Sequence, residues 1–271
     1  MWAYNDIDVY LSPSDNILGE TSVATQNWVP LSTYGLLRSR VALTPSTVEG
    51  NALTIPAKDG KSYAIDSGRG NAKLEFEVLI ADEWVHKDLN SNVRTRTDMV
   101  ASLLNRARRI AYKQPGRSAN SYFIIYKTTL TINDADEKVS SIKAQMEVHP
   151  FEFFLSGNTA VSIAVNGTYT IDNGLPFSDC YPSVVCRGDG EVRFTANGVT
   201  TSLWPINTVP ENTVADAFLN MAYDKNTKGN RNQYFNSDFK IDMRIPGGAS
   251  VVVTNRMNYA ITLYTRKGIV K

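Results

Sequence analysis

Alternating apolar and polar residues dominate the first half of the chain and predict β-strands. In Ala72–Ala81, apolar side chains occupy every second position and mostly charged side chains fill the positions between them, as expected for a strand with one buried face. The same alternation occurs in Ser121–Ile132 and in Val139–Phe154. The turn-forming residues Asn133–Lys138 lie between these two segments. These two segments are therefore predicted to pair as an antiparallel hairpin.

One segment between these strands has helical spacing instead. Its apolar residues fall on one face of a helix: Met99, Val100, Leu103, Leu104, Ala107, Ile110 and Ala111. Thr97 or Asp98 is expected to cap the start of the helix, and Gln114-Pro115-Gly116 to end it. The segment thus predicts one amphipathic helix that packs on the sheet.

The outer face and flanks of this helix are basic. They carry one acid, Asp98, against seven basic residues: Arg94, Arg96, Arg106, Arg108, Arg109, Lys113 and Arg117. Such a face is typical of a solvated helix. A subunit contact, or a surface facing an acidic partner, is the alternative.

After Phe154 the pattern changes to short strand-like runs. Turn signals such as Asn166-Gly167, Gly188-Asp189-Gly190 and Asn197-Gly198 separate them. Many short strands at close spacing favour a β-sandwich. The chain is therefore predicted to be mainly β (β-rich α+β), with an N-terminal β domain in residues 1–155 that contains the helix and a C-terminal sandwich in residues 156–271.

Composition and charge narrow the function classes. The 271 residues are 42% hydrophobic and 20% charged, which is ordinary for a globular protein. A net charge of +1 supplies no global field for nucleic acid, so sequence-specific nucleic-acid binding is not expected. The chain has no apolar run of about 18 residues, so no membrane span is expected. Its first residues are acidic where a signal peptide is basic, which favours folding in a cytoplasm.

The two cysteines of the chain, Cys180 and Cys186, are six positions apart in a segment that reads as one strand. On one strand they would lie about 20 Å apart, which is too far for a disulfide. They are predicted to be buried free thiols.

Residues for catalysis are scarce. The chain has two histidines and lacks the HExxH, CxxC and GxSxG motifs, so no enzyme, metal site or cofactor is expected. A glycoside hydrolase stays open as an alternative, because its two catalytic carboxylates come together in the folded structure and need not be close in sequence.

Three shorter features are interpreted structurally. Arg187–Asp189 spells a cell-adhesion tripeptide but is interpreted as a hairpin turn. Asp224–Gly229 begins like a calcium loop, yet Lys228 and Phe235 stand where oxygen ligands belong. Trp204 is interpreted as core or edge packing, with carbohydrate binding as the minor alternative.

Several stretches in order resemble the distal tail proteins of long-tailed, siphovirus-type bacteriophages that infect chiefly Gram-positive hosts. The first half carries YGLLRSRVALTP, IPAKDGKSYAID, NAKLEFEVLIAD, SLLNRARRIAY and EVHPFEFF. The second half carries Asn173-Gly174, Pro182, Gly188-Asp189-Gly190, Asn197-Gly198, AYDKNTKGN and Pro246-Gly247. Ala57 stands where the family often has glycine.

The resemblance implies an N-terminal belt domain that forms a homo-hexameric ring, with a galectin-like β-sandwich outside it. In this family the hub ring joins the tail tube protein to a tail-associated hub or fibre protein of the tip or baseplate, and it holds receptor-binding proteins. It implies a structural protein of the virion that is assembled in the bacterial host cytoplasm. We hypothesise that Lys58, Asp59 and Lys61 lie at a ring or tube contact. Arg106, Arg108 and Arg109 are expected to face a neighbouring subunit or the DNA channel.

Two further functions stay open beside this one. The sandwich is alternatively a host-saccharide-binding module of the tail tip, with Trp204 as its aromatic platform. The chain is alternatively another tail ring, such as a tube or adaptor protein, because such rings also use strand-rich belts.

Overall fold

A computed structural model describes residues 7–14, 18–46, 52–54, 61–63, 70–81, 92–136, 139–173, 178–235, 245 and 247–270. The chain divides into two compact units. The first holds the described residues of 1–15 and 23–152, and the second holds those of 16–22 and 153–270. Both units are built mainly of antiparallel strands, so the predicted β-rich fold class is confirmed.

One short segment departs from the continuous domain bounds 1–155 and 156–271. Residues 18–22 belong with the second unit, where Gly19 donates its N–H to the carbonyl of Asn158 at 3.0 Å. The Asn158 side-chain amide in turn donates to the carbonyl of Glu20 at 3.1 Å. The domain bounds themselves stay a prediction.

The first unit contains the only α-helix in the described ranges, α1 (Val93–Arg106). Its strands are β1 (Asp8–Ser12), β2 (Val29–Pro30), β3 (Leu36–Leu37), β4 (Ala42–Thr44), β5 (Ala52–Thr54), β6 (Lys61–Tyr63), β7 (Ala72–Ala81), β8 (Arg109–Lys113), β9 (Ser121–Asp136) and β10 (Val139–Val148). The division between the units falls inside β11 (Phe151–Phe154).

A long ladder, β7–β10–β9, forms the centre of the first unit. β10 pairs with β7 from Val139↔Ala81 to Val148↔Ala72, and it pairs with β9 on its other side. The predicted β7 strand and the predicted hairpin are confirmed. β9 runs on to Asp136, so residues expected in the turn extend the strand instead.

The helix α1 covers one face of this ladder. Val100 and Leu104 are fully buried in the same core as Phe76 of β7 and Ile142 of β10. The start of the helix differs from the prediction, because Asn92 caps it by accepting the N–H of Thr95 at 2.8 Å. Met99, which was predicted on the apolar face, is 46% exposed.

The helix also ends earlier than predicted. Ala107 takes an extended conformation, and the following residues form β8, which pairs with β1 from Ser12↔Arg109 to Asp8↔Lys113. Ile110 and Ala111 are buried as predicted, but as strand residues. Over so short a segment, an apolar pattern of this kind fits a helix as well as a β-strand. The segment forms a strand because it pairs with β1 and β9.

The second unit is a two-sheet sandwich. One sheet has the order β12-β21-β15-β18-β19 and the other β13-β20-β16-β17. The strands of these two sheets are β12 (Val161–Ile163), β13 (Thr168–Asp172), β15 (Ser183–Gly188), β16 (Val192–Ala196), β17 (Val199–Leu203), β18 (Val209–Asp216), β19 (Met221–Asp224), β20 (Ser250–Asn255) and β21 (Ile261–Tyr264). Two further strands, β14 (Ser178–Cys180) and β22 (Lys267–Val270), pair with each other outside these sheets. One apolar core draws residues from both sheets, among them Val184 and Leu263 from one and Phe194 and Val253 from the other.

The cysteine prediction is confirmed in its outcome but wrong in its geometry. Both thiols are free and buried, and burial raises the pKa of Cys180 to about 11 and that of Cys186 to about 12. The two residues do not share a strand, because Cys180 ends β14 and Cys186 lies in β15.

The segment Arg187–Asp189 is not a hairpin turn, as the sequence had suggested. β15 before it and β16 after it belong to different sheets, so the segment crosses between them. Gly188 and Gly190 have φ angles of 82° and 120°. A Cβ on Gly190 would lie 2.2 Å from the carbonyl oxygen of Arg256. These glycines therefore permit close packing against residues 256–259 of the same chain.

An ion pair lies buried in the second unit, at the end of β18. Asp216, the last residue of β18, is 1% exposed, and its two carboxylate oxygens accept hydrogen bonds from Arg266 at 2.8 and 2.7 Å. The Asp216 carboxylate also accepts the N–H groups of Phe218 and Leu219. The Arg266 guanidinium lies 5.2 Å from the ring centroid of Phe218.

Removing one partner of this ion pair is expected to destabilise the second unit strongly. Asp216→Ala leaves the Arg266 charge buried without its carboxylate, which costs about 3–5 kcal/mol. The matched control is Glu211→Ala on the same strand, whose side chain is 70% exposed and pairs with Arg187 at 3.2 Å. That change is expected to cost less than about 1 kcal/mol. Urea unfolding of the two variants measures the difference, and equal losses would contradict this assignment.

Candidate functional site

The described part of the chain includes side chains of the types that could hold a metal ion, among them one of the two histidines. Within it, no group of three or more His, Cys, Asp or Glu residues is placed to hold a metal ion. His149 has a local role, since its Nδ1 accepts the N–H of Phe151 at 3.0 Å and its ring packs against Phe151 and Tyr126. His86 lies outside the described residues.

No described helix combines the length and the apolar character that crossing a membrane requires.

The loop that begins like a calcium site uses its carboxylate internally. Asp224 accepts the N–H of Thr227 at 2.9 Å and of Asn226 at 2.8 Å, and it pairs with Arg231 at 2.6 Å. These bonds, led by the one from Thr227, lower the pKa of Asp224 to about 2. Phe235, which stands where the calcium-binding glutamate belongs, is buried.

The predicted contact residues Lys58 and Asp59 lie outside the described residues. Lys61 is the first residue of β6, where it pairs with Thr54 of β5. The backbone of β5 and β6 is therefore a two-stranded antiparallel sheet.

The structure separates the three predicted arginines into two groups. Arg106 and Arg108 are exposed at the junction of α1 and β8. Backbone hydrogen bonds fix this junction, because Arg108 donates its N–H to Ser12 and its carbonyl accepts the N–H of Ile125, both at 2.8 Å.

Arg109 points inward instead. It is 6% exposed, its guanidinium donates to the carbonyl of Ser14, and the same group lies 5.9 Å from the ring centroid of Tyr122. Its surroundings give Arg109 a structural role inside the first unit.

Three large apolar side chains of the first unit lie on its surface. Met99 of α1 is 46% exposed, and Tyr126 and Ile132 of β9 are 53% and 45% exposed. Ile132 pairs directly with the buried Ile142 of β10, so the alternation of the sequence did not distinguish the two. These residues supply apolar contact area that the sequence analysis missed.

Trp204 is exposed as well, and the interpretation as core or edge packing is wrong. It follows the last residue of β17 and is 65% exposed. Its neighbour Pro205 is buried and forms an isolated bridge with Phe235.

Comparisons with known proteins give a likeness in structure alone. No protein-family model matches the sequence, and no curated protein matches it. The structure is similar to SPP1 Dit (gp 19.1), described as a paradigm of hub adsorption apparatus in Gram-positive infecting phages. The two share 14% sequence identity with a TM-score of 0.53, and the match covers 88% of this chain and 96% of that one.

Two structures of the phage P2 baseplate in its activated conformation, with Ca and with Sr, are also similar. Each shares 10% identity and covers 96% of this chain and 97% of the matched chain, with TM-scores of 0.47 and 0.48. Because the TM-scores of these two matches are below 0.5, nothing is concluded from them. The match to SPP1 Dit, with a TM-score of 0.53, shows a shared fold. The resemblance to distal tail proteins is thereby confirmed at the level of the fold.

The two groups of arginines are expected to respond differently to the same substitution. Arg109→Gln removes the charged donor to the Ser14 carbonyl and the packing against Tyr122, which is expected to cost about 1–3 kcal/mol. Arg106→Gln is the control at an exposed site, where only an interaction with the end of the helix dipole is lost, worth less than about 1 kcal/mol. Thermal and urea unfolding of both variants tests this, and a larger loss for Arg106→Gln would contradict it.

Proposed function

We propose that this chain is a structural hub protein of a phage tail, which forms a ring of six copies between the tail tube and the tail tip or baseplate. The observation that carries the proposal is the fold shared with SPP1 Dit, a hub protein, over 88% of this chain. The ordered motifs across both halves of the sequence support the same proposal. A structural role without catalysis is part of it.

A cyclic ring needs two different patches on each copy, because each subunit contacts the next head to tail. The first unit offers suitable chemistry for such patches. Met99, Tyr126 and Ile132 supply exposed apolar area, and methionine and tyrosine are enriched at the cores of protein interfaces. Arg106 and Arg108 supply exposed charges that set the register between neighbours.

The other proposed partners are those that the resemblance to distal tail proteins implies. A tail tube protein on one side, and a tail-associated hub or fibre protein on the other, complete the proposed assembly, with receptor-binding proteins around it. The protein would then be part of the virion after assembly in the host cytoplasm. In this proposal, the sandwich of the second unit corresponds to the galectin-like domain that the resemblance implies.

The purified chain is expected to form rings through contacts that include Arg106 and Arg108. Six chains of 30.0 kDa have a mass of about 180 kDa, and closed symmetry predicts a ring with an open centre. The double variant Arg106→Glu/Arg108→Glu reverses two exposed charges and is expected to shift the mass toward that of the single chain. Light scattering and negative-stain images measure both.

The control for this experiment places the same charge change on the second unit. Arg187→Glu/Lys225→Glu is expected to leave the mass of the ring unchanged. A wild-type chain that stays monomeric, or that grows into long tubes, would contradict the hub. Equal masses for wild type and the Arg106→Glu/Arg108→Glu variant would instead remove these arginines from the interface and leave the ring in place.

The charged residues Lys58, Asp59 and Lys61 are expected to contribute a second contact. Reversing its charges in Lys58→Glu/Asp59→Lys/Lys61→Glu should lower the fraction of chains in rings, because complementary charges fix the register between subunits. Raising the salt concentration should weaken wild-type rings in the same direction. Sedimentation at several protein concentrations measures the fraction, and wild-type assembly of the triple variant would rule the contact out.

A further inference from the structure

A shallow groove lies at one end of the four-stranded sheet of the second unit. It has a volume of about 540 Å³ and is lined by Gly190, Glu191, Arg193, Trp204 and Arg256. The indole of Trp204 is its one aromatic lining group, and 65% of that residue is exposed. A single exposed aromatic side chain is common on protein surfaces, so what the groove can bind depends on the charged groups beside the indole.

Strand register explains why these side chains share one face. Arg193 of β16 pairs with Ser202 of β17 and with Thr254 of β20. Side chains two positions apart on a strand point to the same face, so Trp204 follows Ser202 and Arg256 follows Thr254 on the outer face. Glu191 precedes Arg193 on that face in the same way.

The charged groups of the groove are held in place by hydrogen bonds. Arg193 donates from Nε to a carboxylate oxygen of Glu191 at 2.5 Å. This bond, more than any other interaction, lowers the pKa of the Glu191 carboxyl. Arg256 donates to the side-chain oxygen of Asn166 at 3.2 Å. Two guanidinium groups face one carboxylate, so the groove carries one excess positive charge.

The floor of the groove is rigid. The N–H of Arg256 donates to the carbonyl of Glu191 at 2.8 Å. Asn255 beside it is fully buried and donates to the carbonyls of Ile163, Ala164 and Tyr259 at 2.9 to 3.0 Å. Gly190 has no room for a side chain against Arg256. A preorganised site of this kind loses little entropy when a ligand binds.

The outer face next to the groove carries hydroxyl groups. Ser202 and Thr200 of β17 are exposed, and Thr200 lies 2.9 Å from the hydroxyl of Thr195 on β16. A flat face of hydroxyl groups beside one aromatic ring suits a polar ligand with an apolar face better than an apolar peptide. The pyranose ring of a sugar has this character, since its C–H groups pack on an indole while its hydroxyl groups accept and donate hydrogen bonds.

We propose that this groove binds a saccharide that carries an anionic substituent. The sugar ring stacks on Trp204, the Glu191–Arg193 pair bonds its hydroxyl groups, and Arg256 binds the carboxylate or phosphate, because a guanidinium matches both groups with two parallel hydrogen bonds. The proposal goes beyond the hub function. It involves only the second unit and is independent of ring formation by the first.

Direct binding to matched sugars tests the proposal on the full-length chain. The probes are glucan, mannan and galactan oligosaccharides, each in a neutral, a C6-carboxylated and a C6-phosphorylated form, titrated while tryptophan fluorescence and heat are recorded. At least one anionic form is expected to bind about tenfold more tightly than its neutral counterpart. The two anionic forms identify whether carboxylate or phosphate is preferred.

Two variants assign the binding to the groove. Trp204→Ala is expected to weaken all sugar binding about tenfold. Arg256→Gln is expected to abolish the preference for the anionic form over its neutral counterpart. The controls are Ile206→Ala, an apolar residue that is 58% exposed, and Arg187→Gln, an exposed arginine of β15.

Several outcomes would overturn the proposal. They are the absence of binding to every probe, equal binding of neutral and anionic forms, and undiminished binding by Trp204→Ala. The mass of each variant, measured in parallel by light scattering, is expected to equal that of the wild-type protein. A failure of the sugar site is therefore distinguishable from a failure of the hub.

Discussion

The first unit depends on the burial of one face of the ladder β7–β10–β9. Leu74, Phe76, Val78 and Ile80 alternate along β7 and are nearly or fully buried, and α1 covers them together with the matching residues of β10. Because side chains alternate with a period of two, a shift of one residue would turn this whole apolar set toward water. The register of the hairpin, the position of the helix and the placement of the exposed face all follow from this constraint.

This constraint explains which parts of the fold were predictable. β7 has a clean alternation and was predicted with its observed bounds. The segment after Arg106 was not, because Ile110 and Ala111 fit the predicted helix face as well as a strand, and only pairing with β1 distinguishes the two structures. The segment 187–190 shows a different limit. Its glycines were recognised, but a glycine required for a hairpin cannot be distinguished in sequence from one that permits close packing between two sheets.

The prediction of candidate site residues was limited because the sequence does not show which individual side chains are buried. Arg106, Arg108 and Arg109 are indistinguishable as residue types, yet the last of them is enclosed and hydrogen-bonded to the backbone of Ser14. Trp204 was assigned to packing on the general habit of tryptophan. Its outward direction follows from its position two residues after Ser202, which pairs with Arg193, and this pairing cannot be read from the sequence. In both cases the direction of a side chain at the end of an element depends on strand pairing, which the sequence does not show.

Two arginines, the half-buried Arg117 and the buried Arg266, show how the fold uses charge and what it leaves for recognition. Arg117 stacks 3.9 Å from the ring centroid of Tyr112 and pairs with Glu152, and Arg266 pairs with Asp216 beside Phe218. In each case an aromatic ring and a carboxylate replace the water that the guanidinium loses on burial. The chain as a whole has a net charge of only +1, so recognition by long-range attraction is weak. Recognition must then come from short-range geometry, in which exposed charges lie beside exposed apolar groups. The surface of the first unit with Arg106 and the groove with Trp204 both have this composition.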